Sequence, residues 1–247
     1  MLKLSVLDQS TAARGQSPDQ AIRDTIQLAK HCEDLGYARF WVSEHHDHPS
    51  IVGTAPEIVM AAVAQSTGRI RIGSAGVMLP HYAPLKVAEQ FFGIPYCFAH
   101  FITDGHGVER AFDIYRERYQ PSERHPKPQA SVCIWALAAD TEAEAERLFT
   151  SRAHARLMRE TGRRGPMESP ETLAGYDYSG PERAWLAKYR ERSIVGTGEQ
   201  VLAELSGRAQ AYGIDEVVVL TWTYHQADRR RSYALLAEAA WGNSDKK

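Results

Sequence analysis

No run in the sequence approaches the roughly 18 apolar residues of a membrane-spanning helix. The beginning of the chain passes straight into alternating strand-like residues, without the long apolar stretch of a secretory leader. Charge of one sign is also lacking: 29 Lys and Arg stand against 31 Asp and Glu, for a formal net charge of -2. No field therefore steers the chain toward nucleic acid or an anionic membrane. Cysteine is scarce. Cys32, Cys97 and Cys133 are odd in number, far apart and set among apolar neighbours, which argues for packing residues in a reducing compartment rather than a disulfide framework. Together these absences predict a cytoplasmic protein. A complete dinucleotide fingerprint is missing too: Gly196, Thr197 and Gly198 precede a helix, but one Gly-x-Gly reads better as a helix cap than as a phosphate cradle.

What is present is 43% apolar content over 247 residues, ample for a buried core, in a strand–helix rhythm. Residues 3–8 read as a strand. Pro18 then opens a helix in which Ile22, Ile26 and Ala29 recur at helical spacing until Gly36. Residues 39–43 form a second strand, and Pro56 starts a helix that Gly68 ends. A third strand at 70–78 leads to a helical run stopping near Gly93. Residues 95–101 and 131–138 are strand-like, with helices at 108–119 and 141–159, and residues 216–222 are the last strand before a helix at 228–240. Between them, 160–194 is rich in Gly and Pro and reads as an excursion loop carrying one small helix around 183–189. Six strands alternating with helices imply βαβ crossovers and a parallel sheet, either doubly wound or closed into a barrel.

Three segments carry a resemblance: LSVLDQS at 4–10, FWVSEHH at 40–46 and IGSAGVMLPHYAPLKVAEQF at 72–91. With PYCFAHF at 95–101, IVGTGEQ at 194–200 and DRRRSYALL at 228–236, they resemble, in family order, the bacterial luciferase-like flavin monooxygenases, particularly the alkanal-monooxygenase-like branch. The resemblance implies one TIM (β/α)8-type barrel over 1–247, with its site at the C-terminal ends of the strands. It also implies a break. Between Phe91 and Phe92 the family pattern would place about two further βα units, whose loops carry the phosphate of FMN, so the barrel is expected to be incomplete.

The site candidates sit at strand ends. Glu44, His45, His46, Asp47 and His48 bring unusually many titratable groups together after the second strand. The resemblance places His45 beside the flavin as a proton relay, with Glu44, Ala75, Gly76, Val77 and Trp222 as cofactor contacts. Asp8, Gln9, His46, His100 and Tyr224 are expected at the substrate. Small residues at 74–76 let a planar ring approach the backbone, and the family often has a cis peptide at the place of Ala75–Gly76. A plainer reading makes Glu44 a cap for backbone groups and the histidines a polar rim. A further alternative makes His46 and His48 a metal pair of a barrel hydrolase, which needs ligands from later strands.

The function implied by the resemblance is oxidation of an aldehyde-like or other small organic substrate by O2 and reduced FMN, delivered by a separate flavin reductase, with F420 the less favoured cofactor. The missing units keep a non-catalytic, ligand-binding relative as the alternative. The helix after Pro56 is apolar around most of its circumference, which predicts a homodimer through that face.

Overall fold

The computed structural model describes residues 2–76, 78, 95–123 and 125–242. In chain order the elements are β1 (Lys3–Asp8), α1 (Pro18–Asp34), β2 (Arg39–Val42), α2 (Pro56–Ser66), β3 (Arg71–Ser74), β4 (Tyr96–Phe98), α3 (His100–Thr103), α4 (Val108–Arg118), β5 (Ala130–Ala138), α5 (Glu142–Glu160), α6 (Pro170–Leu173), α7 (Gly180–Glu191), β6 (Ile194–Gly196), α8 (Gly198–Tyr212), β7 (Glu216–Leu220) and α9 (Gln226–Trp241). The strands form one sheet in the order β3-β2-β1-β7-β5-β4, with β6 on β5, and every pairing is parallel. Among the described residues β3 and β4 do not pair, so the sheet stays open. The architecture is an α/β parallel sheet of incomplete (β/α)8-barrel type. No helix among the described residues is long and apolar enough to cross a membrane.

Local chemistry explains the element boundaries. Ser17 caps α1 by accepting the Gln20 N–H at 3.2 Å, and Gly36 after its end sits at φ 86°, where a side chain would be strained. Seven strands replace the six expected. The additional one, β6, has only three residues and pairs only the last part of β5 (Ala136 to Ile194, Ala138 to Gly196), too short for any periodicity to reveal. The strand expected at 95–101 stops at Phe98 because His100 already begins α3. The excursion loop holds two helices rather than one. Ser169 caps α6, and Ser179 with Glu182 forms a reciprocal capping box on α7. The expected break between 91 and 92 lies outside the described residues.

Strand alternation divides the core between the two faces of the sheet. Leu4, Val6, Val132, Ile134, Val217 and Val219 pack on one side against α1, α2, α4, α8 and α9. Leu7, Cys133, Trp135, Leu137, Val218 and Leu220 pack on the other, where α5 and α7 supply Leu148, Phe149 and Tyr189. In a closed barrel that second face would meet other strands. Here helices cover it, and β5 is accordingly apolar on both faces. At β3, Gly73 is bare for a packing reason: an added Cβ would come within 2.9 Å of the Trp41 ring, its parallel partner on β2.

Candidate functional site

The C-terminal ends of β1, β2 and β3, with Trp222 just beyond β7, converge on a cavity of about 410 Å³. Two backbone reversals aim its side chains. Ser10 after β1 and Asp47 after β2 both take positive φ, 49° and 50°, which is uncommon for residues other than glycine. Ser10 is buried and its hydroxyl accepts that of Thr25 at 3.0 Å, so α1 pins the reversal and sets Gln9 on the cavity wall. Gln9 is 3% exposed and its Oε1 has no hydrogen-bond partner; Trp222 Nε1, on the same wall, is likewise buried and unpartnered. Ala75 and Gly76 line the same cavity with at most a methyl group, and a Cβ added at Gly76 would meet nothing within 4 Å. The Ala75–Gly76 peptide is trans, as are all the described peptide bonds, which corrects the cis bond implied by resemblance.

His45 lines this cavity half-buried. Its backbone N–H is held by the Gly53 carbonyl at 3.1 Å and its ring Nδ1 lies 3.2 Å from the buried Ser43 hydroxyl, which leaves Nε2 without a protein partner among the described residues. Burial lowers its pKa below the ordinary 6.5, and neighbouring His46 adds to the shift while Glu44 opposes it. The ring is therefore neutral at pH 7 and able to accept a proton. His48 also lines the cavity, its ring 6.3 Å from that of His45. The N–H groups of Ser50 and Ile51 both donate to His48 Nδ1, at 3.1 and 3.0 Å. Two donors on one nitrogen fix the neutral tautomer with the proton on Nε2. Burial, then His45, Arg164 and Arg159, depress its pKa further. Glu44 is buried on the cavity wall, where one carboxylate oxygen accepts the Met78 N–H at 3.0 Å and the other meets His46 Nε2 at 2.9 Å.

Other expected contacts lie elsewhere, each for a physical reason. Asp8 points away from the cavity and forms a buried ion pair with Arg229 of α9 at 2.7 Å. His46 is exposed and turns back onto Glu44. His100 is buried against Arg208 at 3.2 Å, over Gly105, whose bare α-carbon makes room for the ring. Tyr224 donates its hydroxyl to the Arg14 carbonyl at 3.1 Å. Val77 lies outside the described residues. Among the described residues no three His, Cys, Asp or Glu side chains gather closely enough to hold a metal ion, and the supposed pair His46 and His48 serves separate partners.

Sequence reasoning missed the cationic wall. Arg152 and Arg159 of α5, seven residues apart and thus on one helix face, line the cavity with Arg164 from the following loop. Arg152 is 5% exposed, and its guanidinium lies 4.4 Å from the centre of the Trp222 ring. The only signal was that spacing, which also suits a solvated helix face.

The family model for luciferase-like monooxygenases matches residues 2–96. The protein YwcH of Bacillus subtilis (strain 168) is 32% identical over an alignment covering 97% of this chain and 99% of YwcH. The chain belongs to the luciferase-like monooxygenase family. The alignment runs over 333 positions against 247 residues here, so YwcH carries residues without a counterpart in this luciferase-like chain. The N-acetyl-S-alkylcysteine monooxygenase of the same organism is 26% identical, over 97% of this chain and 98% of the relative. Among solved structures, apo-MsnO8 is similar with a TM-score of 0.85 and 27% identity, covering 97% of this chain and 98% of its own. The FMN complex of the oxygenating constituent of 3,6-diketocamphane monooxygenase from Pseudomonas putida shares the fold at a TM-score of 0.66 and 16% identity, with 97% and 98% covered.

Proposed function

We propose that this luciferase-like chain is a flavin-dependent monooxygenase that oxidises a small, aldehyde-like organic substrate with O2 and reduced FMN, the flavin being delivered by a separate reductase. The observation that carries this reading is the cavity wall itself. It offers an open backbone platform at Ala75–Gly76, an orphaned acceptor at Gln9 Oε1, an orphaned donor at Trp222 Nε1 and a neutral histidine. A flat heterocycle with donors and acceptors on its edge satisfies such a set, because buried polar atoms without partners cost on the order of 1–3 kcal/mol each. These residues fit the ring of FMN. Gln9, Ala75, Gly76 and Trp222 would hold it. Bound reduced FMN would supply the electrons that activate O2.

The chain's own part is proton handling and the exclusion of water. His45, oriented by Ser43 and neutral at pH 7, takes a proton at Nε2, the one ring nitrogen that faces no described partner. Glu44 braces the loop by tying it to the Met78 backbone rather than acting on a ligand. Leu7, Ile51 and Phe101 give the cavity an apolar lining suited to a small organic molecule. The chain acts in the cytoplasm, and a homodimer through the outer face of α2 completes the reading, since Ile58 there is 68% exposed.

The open sheet and the residues that YwcH has in excess favour one second reading, a relative that binds a ligand without turnover. Titrating the full chain with FMN, riboflavin and F420 by flavin fluorescence decides between them. Near-stoichiometric FMN binding, with substrate-dependent oxygen uptake once a reductase and NADH are supplied, supports the enzyme. Protein that takes up no flavin refutes it.

A further inference from the structure

The cavity carries more positive charge than its walls neutralise. Arg152, Arg159 and Arg164 all line it, and none has a side-chain hydrogen bond or ion pair among the described residues. The acidic group on the same wall, Glu44, is already engaged by His46 and the Met78 N–H. Arg156, which shares the helix, has an ion-pair partner in Glu160 at 2.9 Å, so its charge is offset while those of the other three are not. Arg152 is the sharper observation. It is 5% exposed, its Nε is buried without a partner, and its plane is held over Trp222 at 4.4 Å and near Trp135 at 5.6 Å. Burying an unpaired guanidinium is costly, and stacking on indole recovers only part of the lost hydration.

A small hollow of about 40 Å³ adjoins the cavity, sharing His48, Arg152, Arg159, Arg164 and Trp222 with it and bordered also by the ion-paired Arg156. That space suits one compact group of a few atoms. His48 adds a donor, because its Nδ1 is committed to two backbone N–H groups and its proton therefore sits on Nε2. Cationic forks and an imidazole N–H then surround a hollow that opens onto an apolar chamber walled by Leu7, Met78 and Phe101.

We propose that Arg152, Arg159, Arg164 and His48 form an anion subsite that takes the ionised end, a carboxylate or a phosphate ester, of a ligand whose apolar body lies in the main cavity. Arginine forks pair with either oxyanion through parallel hydrogen bonds, stronger than neutral ones. The subsite rests on the arginines and the hollow, independently of the flavin reading: protein that takes up no flavin but binds a carboxylate upholds the one and refutes the other.

The test is isothermal titration of the full chain with hexanoate, hexan-1-ol, FMN and riboflavin, for the parent protein and for Arg159→Gln/Arg164→Gln. These two side chains are largely exposed, so the variant keeps its fold, which a thermal melt verifies. The anion subsite requires that at least one oxyanion bind more tightly than its neutral counterpart, hexanoate over hexanol or FMN over riboflavin. It requires too that the double substitution weaken that binding by about tenfold or more and leave the neutral compound unaffected. If hexanoate still binds with FMN in place, the anion is a substrate carboxylate. If FMN displaces hexanoate and its advantage over riboflavin vanishes in the variant, the anion is the cofactor phosphate. Equal binding of charged and neutral probes, or no loss in the variant, overturns the subsite.

Discussion

Replacing Arg229 by Met tests the buried pair at the foot of the site. Arg229 Nη1 donates to Asp8 Oδ1 at 2.7 Å, with the two side chains 2% and 1% exposed, so water reaches neither. The pair is incompletely satisfied: Asp8 Oδ2 and Arg229 Nε and Nη2 have no partners. Removing the cation leaves a carboxylate without counter-charge or solvent, which costs about 3–5 kcal/mol. At about 2–4 °C per kcal/mol for a chain of this size, Arg229→Met should lower the melting temperature by roughly 6–20 °C. The companion variant Asp8→Val/Arg229→Met should recover most of that loss, because a poorly hydrogen-bonded buried pair is about neutral against apolar groups of similar volume. Thermal melts by circular dichroism, checked by urea unfolding, measure both. A single variant melting within about 2 °C of the parent would refute the reasoning, since ordinary surface changes move stability by no more than about 0.5 kcal/mol. So would a double variant as unstable as the single one.

Three further outcomes follow from the geometry. In protein loaded with flavin, His45→Gln should slow turnover by about 10²–10⁴-fold with flavin affinity unchanged, the scale of a lost proton-transfer group; an unchanged rate in steady-state oxygen uptake removes His45 from the chemistry. His45, His48, His100 and His154 all have pKa values lowered from 6.5, burial being the first cause for each. The unfolded chain thus binds these protons more readily, and their contribution to stability is complete above pH 6.5 and is lost as the pH falls through the lowered values; urea midpoints flat from pH 7 to 5 would contradict this. Ile58 is 68% exposed whereas Ala62 is half-buried, so Ile58→Glu is the sharper probe of the α2 dimer. Light scattering should report twice the 27.6 kDa chain mass for the parent and a shift toward monomer for the variant, and a monomeric parent rules the dimer out.

How much of this was legible in the sequence depended on the range over which the signal acts. Strand-end positions are local, so Gln9, His45, Ala75, Gly76 and Trp222 could be placed by reading where each apolar strand stops, and all of them line the cavity. Asp8 sits one position from Gln9, but its fate depends on Arg229, 221 residues away, and no local pattern reports such a partner. His46 and His48 looked equivalent; the reversal at Asp47 sends one to Glu44 and the other to the backbone of Ser50 and Ile51. Arg152 was illegible for a different reason. A charge inside an amphipathic helix normally marks the wet face, and only the helix cover on the second face of the open sheet puts it indoors.

The place of β1 bears on how the chain acquires this shape during synthesis. Residues 3–7 pair with residues 216–220, so β1 gains one of its two neighbours only after about 200 further residues have been made. At roughly 5–20 residues per second, β1 waits about 10–40 s on the ribosome before β7 emerges. Throughout that interval its free edge, with Leu4, Val6 and Leu7, is open to any strand that comes near. Agents that shield nascent chains should therefore govern the yield of this protein more than its final stability does, and supplying the β7–α9 segment in trans should shorten the exposure.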